Sequence, residues 1–190
     1  MPYEPPPELA ALSLSQIAEA VAARRLPAVD QWSPASAGES HMRIAGNGQW
    51  FHEGAPITRP AMVRAFASLL TADETGQHWL VTPHEKLAIA VDDAAFIATD
   101  LEVRSDAQGR NALAFRLNTD EFVIAGPGHP IRAAGDPDTP ALYLDVRHGT
   151  QARLNRSTYG QLIDHALTVS DGDALAVESL GSRFALAPPP

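Results

Sequence analysis

Apolar positions Leu14, Ile17, Ala18, Val21 and Ala22 recur at helical spacing behind Ser13 and Ser15. An amphipathic helix over about 13–25, N-capped by one of those serines, therefore leads the chain. Leu26-Pro27 ends it, and Asp30 to Ser40, rich in Ser, Pro and Gly, reads as a loop that Trp32 staples to the body. Met42 to Ala45 and Gln49 to Phe51 flank Gly46-Asn47-Gly48. That pattern predicts a hairpin whose Asn-Gly pair supplies the positive φ values of a tight turn. Glu53-Gly54 makes a second turn before Ala55 to Thr58. Pro60 then occupies a first helical position, and Met62, Val63, Phe66, Leu69 and Leu70 form one apolar stripe, so a helix runs from about Pro60 to Leu70. Gly76 marks a turn, and Trp79 to Thr82 and Leu87 to Val91 read as strands separated by Pro83-His84-Glu85.

Past residue 95 the pattern becomes a meander of short strands: Phe96 to Val103, Ala112 to Leu117, Phe122 to Ala125, Ile131 to Ala133, Leu142 to Val146 and Gln151 to Leu154. A last amphipathic helix carries Tyr159, Leu162, Ile163, Ala166 and Leu167, with Asp171 to Asp173 ending it. Pro2 to Pro7 and Pro188 to Pro190 should be extended. Both halves contain the order strand, Gly turn, strand, arginine, helix, with Arg59 in the first and Arg156 in the second, which suggests a duplication. The expected fold is α+β: two related modules of mostly antiparallel strands. Residues 1–25 form a tail and helix, 26–95 an α+β module, and 96–190 a curled sheet or partial barrel capped by a C-terminal helix.

Composition narrows the function classes. The 190 residues include no cysteine, which removes disulfides, thiolate catalysis, zinc fingers and iron–sulfur clusters. No apolar run approaches the roughly 20 residues that span a bilayer, and Met1 to Pro7 lacks the features of a secretory signal. The expectation is a cytoplasmic protein without a membrane partner. A formal net charge of -9 opposes bulk nucleic acid and anionic lipid, leaving room only for a local basic pocket. Of the 14 basic residues only Lys86 is lysine. Arginine offers a rigid fork for carboxylate or phosphate, although an alanine- and proline-rich, lysine-poor chain is also what a GC-rich genome produces.

Three stretches then become recognisable. They are Gly48-Gln49-Trp50-Phe51-His52-Glu53-Gly54-Ala55-Pro56-Ile57-Thr58-Arg59, followed by Val63-Arg64-Ala65-Phe66; Leu80-Val81-Thr82-Pro83-His84-Glu85-Lys86 with Val91-Asp92-Asp93-Ala94-Ala95-Phe96; and Tyr143 through Arg156 with Tyr159. In order and spacing they resemble the uncharacterised proteobacterial family called domain of unknown function 1285 (DUF1285), from about Asp30 to Leu167. Ala95 stands where proline is expected, and Ala65 and Thr150 where leucine is usual. The resemblance implies two related modules, the second loosely like a pleckstrin-homology barrel. It also implies a ligand site at the module interface, a nucleotide-like ligand and a signalling role, with no established activity.

The candidate ligand-binding residues are Arg59, Thr82, Glu85, Tyr143, Arg147 and Arg156. Arg59, Arg147 and Arg156 lie at strand ends or helix starts, where guanidinium groups bracket an anion well. The competing reading pairs each with Glu85, Asp92 or Asp145 as an internal ion pair. Tyr143, Tyr159, Trp50 and Trp79 offer faces for stacking on a base, against the ordinary alternative of core packing. Thr82 to Lys86 gathers a hydroxyl, an imidazole, a carboxylate and the lysine in one turn.

His84-Glu85 and His52-Glu53 lack the second histidine of a zinc-protease helix, and no Walker loop, G-x-S-x-G elbow or dinucleotide fingerprint occurs. Asp171-Gly172-Asp173 lacks the other ligands of a calcium loop. The expectation is a non-enzymatic protein binding a small anionic ligand, a nucleotide among the candidates, with no cofactor and no metal. The alternatives are acid–base hydrolysis by Glu85, His84 or Asp92, and a protein-interaction adaptor.

Overall fold

The computed structural model describes residues 8–169 and 175–188. The helix end expected at Asp171 to Asp173, the N-terminal prolines and Pro189-Pro190 lie outside the described residues. The leading helix α1 (Leu14–Ala23) begins at Ser13, which forms a reciprocal capping box with Gln16. Ser13 N donates to Gln16 Oε1 at 2.8 Å while Ser13 Oγ accepts from Gln16 N at 3.3 Å, satisfying two donors the helix start would otherwise orphan. Among the described residues, contacts divide the chain into two units: 25–96 with 146–151, and 8–24 with 97–145, 152–169 and 175–188.

The first unit is a six-stranded sheet with one helix. Its strands are β1 (Ser36–Ile44), β2 (Trp50–His52), β3 (Ala55–Pro56), β4 (Leu70–Ala72), β5 (His78–Val81) and β6 (Glu85–Val91), in the order β3-β2-β1-β6-β5-β4. Helix α2 (Pro60–Ala67) connects β3 to β4. Every neighbouring pair is antiparallel except β1 and β6, which run parallel at the centre.

β1 starts inside the stretch expected as loop. Its first four residues are exposed on both faces, so backbone pairing with β6 holds them and no hydrophobic alternation announces them. Between Glu39 and Arg43 the register with β6 shifts, His41 takes φ 54°, and Ser40 repairs the ladder. Its hydroxyl donates to Ala88 O at 2.7 Å and accepts from Met42 N at 3.1 Å. Helix α2 ends at Ala67, earlier than its apolar stripe predicts, because Leu70–Ala72 pairs with β5 as an edge strand.

The second sheet comprises β7 (Phe96–Ser105), β8 (Asn111–Leu117), β9 (Phe122–Ile124), β10 (Ile131–Ala134), β11 (Ala141–Arg147) and β12 (Thr150–Leu154), in the order β10-β11-β12-β7-β8-β9. It is a curled half-barrel, and both six-stranded sheets are mixed. Helix α3 (Arg156–Val169) follows β12 as expected. A hairpin, β13 (Ala176–Ser179) and β14 (Ser182–Ala185), follows the helix. The sequence pattern missed this hairpin because its anchor is polar. Ser179, fully buried, donates to Ala125 O at 2.7 Å and accepts from Leu113 N at 2.9 Å. In the same unit Leu9 and Ile17 pack with Ala114 and the flanking Leu12, Phe122 and Ile124. Arg24 pairs with the buried Glu121, and Arg104 donates to Leu12 O and Ala10 O.

The duplication is visible in connectivity. In each sheet two consecutive three-stranded meanders are joined so that the first strand of the first meander lies beside the last strand of the second: β1 beside β6, and β7 beside β12. This places α2 between the meanders of one sheet and α3 after the second meander of the other. The hairpin-arginine-helix units that first suggested duplication are therefore not topological equivalents, and neither are Arg59 and Arg156.

Turn chemistry sets the registers. The Gly46-Asn47-Gly48 hairpin forms, but of its residues only Gly48 takes positive φ (84°). Gly48 N donates to Ala45 O and Ala45 N to Gln49 O, which defines a three-residue loop closed by a left-handed glycine, with Asn47 outside the positive-φ region expected of it. Asp73 to Gln77 repeats this geometry around Gly76. There the Asp73 carboxylate accepts from Thr75 Oγ1, Trp79 Nε1 and the amides of Thr75 and Gln77. The Thr75 hydroxyl foremost, then Trp79, lowers Asp73 to about 2.

At the β11–β12 tip, His148 and Gly149 both take positive φ (46° and 78°). His148 O accepts from Ala72 N at 2.8 Å, and a Cβ at residue 149 would stand 2.5 Å from Ala72 O. Gly54 has nearly the same φ (81°) with nothing within 4 Å of its Cβ position.

Two outcomes follow from these turns. Gly54→Ala should cost only the left-handed strain, about 1 kcal/mol, and Gly149→Ala about 3 kcal/mol because the clash is added. Urea unfolding followed by tryptophan fluorescence measures both, and equal costs would remove the close approach as a constraint. Asp73, depressed below its unfolded value of about 3.9, contributes stability present above pH 4 and lost as pH falls through about 2. The melting-temperature gap between wild type and Asp73→Asn, measured by calorimetry, should therefore be full at pH 5 and shrink towards pH 2.

Candidate ligand-binding site

One face of the first sheet carries Met42, His52, Leu80, Glu85 and Leu87. Met42 and His52 are register partners, as are Leu80 and Leu87, and Glu85 precedes Leu87 by two residues on β6. Helix α2 lies over this face with Met62 and Phe66, four residues apart, turned towards it. Pro60 at its first position starts the helix without needing a donor. Phe66 stacks on the buried Trp50, ring centroids 6.3 Å apart and planes at 19°. Between helix and sheet an open trough of about 730 Å³ remains, and Ser40, Ile57, Thr58, Arg59, Leu69 and Thr82 are among its further lining residues.

Three sequence candidates line this trough: Arg59, Thr82 and Glu85. Arg59 is the residue before Pro60, exposed, and the only arginine or lysine of the lining. Glu85 is the only carboxylate of the lining and is also exposed. Among the described residues neither forms an ion pair.

Thr82 has a structural task. Its Oγ1 accepts from the amides of His84 and Glu85 at 3.3 and 3.1 Å, and its N donates to Glu85 O at 2.9 Å. This closes the Pro83-His84 turn and delivers Glu85 to the trough edge. Lys86, one residue on, leaves the trough face and sits 4.6 Å from the Trp79 ring centroid.

The other three candidates lie elsewhere. Arg147, part of the first unit, lies 4.9 Å from the Phe96 ring centroid and donates to Ala67 O at 3.0 Å. Burial lowers its guanidinium to about 10. It fastens the β11–β12 tip and does not line the trough. Tyr143, on β11, is the register partner of Arg132, and Arg156 is the exposed first residue of α3.

Of the carboxylates expected to pair with Arg59, Arg147 or Arg156, two are held by other arginines. Arg43 holds Asp92 in a two-point bond, its Nε at 2.8 Å from Oδ1, and that hydrogen bond foremost lowers the Asp92 carboxyl. Arg132 takes Asp145, Nη2 to Oδ2 at 2.9 Å. Glu85 and Asp92 flank opposite ends of β6, roughly 20 Å apart at the strand rise of about 3.3 Å per residue, so they cannot serve one reacting atom.

The apolar lining, Met62 and Phe66 above all, was legible only as a core stripe. The signal that separates it from core is that Met62 remains 41% exposed. Among the described residues no cluster of three His, Asp or Glu side chains could hold a metal, and no helix is long and apolar enough to cross a membrane.

Fold and site together define a two-unit α+β protein of repeated mixed sheets with an apolar trough beneath a short helix. The chain belongs to the DUF1285 family: the family's N-terminal domain matches residues 27–94 and its C-terminal domain residues 95–186, both described as of unknown function. A DUF1285 family protein from Silicibacter pomeroyi DSS-3, known from its crystal structure, is 40% identical, covering 94% of this chain and 96% of its own, with a TM-score of 0.77. A second, from Shewanella baltica OS155, shares 21% identity over 65% of this chain and 90% of its own, with a TM-score of 0.51, a likeness of fold alone. No curated protein matches the chain.

The contrast between the two arginines is measurable. Arg147→Ala should destabilise the protein by about 2 kcal/mol through the lost ring contact and carbonyl bond. Arg59→Ala, at an exposed position without an ion pair, should stay within about 0.5 kcal/mol of wild type. Chemical denaturation of both variants reads the difference, and a large loss at Arg59 would make it structural.

Proposed function

We propose that this chain is a non-enzymatic binding protein that takes a small anionic ligand in the trough of its first unit, and that occupancy of the trough is the signal it passes on. The observation that carries the reading is the placement of Arg59: an exposed guanidinium with no ion pair among the described residues, beside about 730 Å³ of largely apolar space. A fork-shaped cation next to a dry wall binds anions more strongly than one in open water, since the local dielectric is lower. The surrounding chain carries a formal charge of -9, so an anion gains attraction only where such a cation is placed.

The nucleotide implied by the family resemblance is one member of this ligand class. A hydrolytic reading would have to work without Asp92, which lies beyond the far end of β6 from Glu85 and is held by Arg43. Among the described trough residues Ser40 is no free nucleophile either, since its hydroxyl is engaged on both sides by backbone groups.

Thermal unfolding across nucleotides, nucleotide second messengers and organic acids tests the proposal. A ligand at a hundred times its dissociation constant adds about 2.7 kcal/mol, a rise of roughly 5–10 °C for a chain of this size. At least one anion should raise the melting temperature of wild type and fail to do so for Arg59→Ala. Absence of any rise, or an equal rise in the variant, would sink the proposal.

A further inference from the structure

Resting on that reading of the trough, we infer that its ligand is a singly charged amphiphile: a free, unbranched fatty carboxylate whose chain lies between α2 and the sheet and whose head group meets Arg59. The walls select against a more polar guest. Met42, Leu80 and Leu87 form the sheet side and Met62, Phe66 and Leu69 the helix side, with no donor or acceptor in their side chains beyond the thioethers. The hydroxyls that reach the trough from β1 and the β5–β6 turn are already committed: Ser40 to Ala88 O and Met42 N, Thr82 to its own turn. The remaining polar side chains of the lining, His52 on β2 and Thr58 before α2, lie outside these six apolar residues, so a ribose or base laid along the six would leave polar edges unpaired, at roughly tenfold or more in affinity for each.

Charge points the same way. The lining holds one arginine and one carboxylate, that of Glu85 on β6. One anionic group is complemented by Arg59, whereas a second or third phosphate charge would meet Glu85 and the net negative chain. The volume falls within the roughly 300–1,000 Å³ of small-molecule sites. Two methionines at the mouth and floor, Met62 and Met42, are unbranched and adjust to a chain whose conformation varies.

Calorimetric titration of the full chain with hexanoate, octanoate, decanoate and dodecanoate below their micelle concentrations tests the inference, with 1-decanol and adenosine diphosphate as comparison ligands. Affinity should rise about fourfold per methylene, the equivalent of about 0.8 kcal/mol, until the trough is filled. Decanoate should bind wild type at least tenfold more tightly than decanol. Arg59→Gln should reduce decanoate to the decanol level, and Met62→Trp, at an exposed position that should not disturb folding, should shorten the longest chain accepted. No dependence on chain length, or equal binding of decanol and decanoate by wild type, overturns the inference. If adenosine diphosphate binds most tightly and through Arg59, the anion-binding reading stands and the amphiphile falls; if no ligand binds, both fall.

Discussion

The parallel pairing of β1 with β6 is the constraint on which the first unit depends. Each three-stranded meander, β1-β2-β3 and β4-β5-β6, folds locally through short turns, yet neither alone presents a face wide enough to be covered by a helix. Joining them at β1 and β6 brings Met42 and His52 from one meander beside Leu80, Glu85 and Leu87 from the other, and α2 then has a surface to cover. The joint closes strands separated by more than forty residues, so it must overcome the loop entropy that local hairpins avoid. Ser40 is the point of accommodation. Where the register slips, its hydroxyl supplies both an acceptor and a donor that the ladder has lost.

The same economy of polar groups runs through the molecule. Asp73 and Asp106 each organise a glycine-closed turn by accepting backbone amides, Thr82 does so with a hydroxyl, and Ser179 ties the last hairpin to the strand and loop beside it. Most arginines with a partner in the structure hold a carboxylate or a carbonyl: Arg24 with Glu121, Arg43 with Asp92, Arg132 with Asp145, Arg147 with Ala67 O. Arg59 is different in kind. It has an open apolar wall for a neighbour and a proline after it that fixes the start of α2. On the proposed reading, a cation placed so is the one that meets an external anion.

Duplication gives this asymmetry a structural background. Both sheets use the same joint between meanders, but the helix is inserted at different points, between β3 and β4 in the first sheet and after β12 in the second. In the first arrangement the helix bridges two meanders above an open volume. Repetition of a sheet therefore did not repeat the helix placement, and the likeness of Arg59 to Arg156 is one of sequence surroundings alone.

Much of the fold was legible along the chain because its signals are local. Ser13 with Gln16 caps α1, Pro60 starts α2, and the glycine turns separate strands whose alternation is clear from β7 onward. These depend on residues within a few positions of one another, so the sequence alone determined most of the element types, though not β4 or the β13–β14 hairpin, together with the α+β class and the two-part organisation, and the family resemblance followed from the same stretches.

What local pattern does not carry is pairing at a distance. The start of β1 is exposed on both faces and exists because β6 lies beside it, and β13 is anchored by a serine whose partners are more than fifty residues away. The six candidate site residues shared a chemistry suited to anions. Tertiary structure alone decided that Arg59 and Glu85 share a trough, that Thr82 builds its edge, and that Arg147 is a fastener. The reason is physical: whether a guanidinium is a site or a strut depends on what stands within about 4 Å of it, and that is set by sheet order and helix placement.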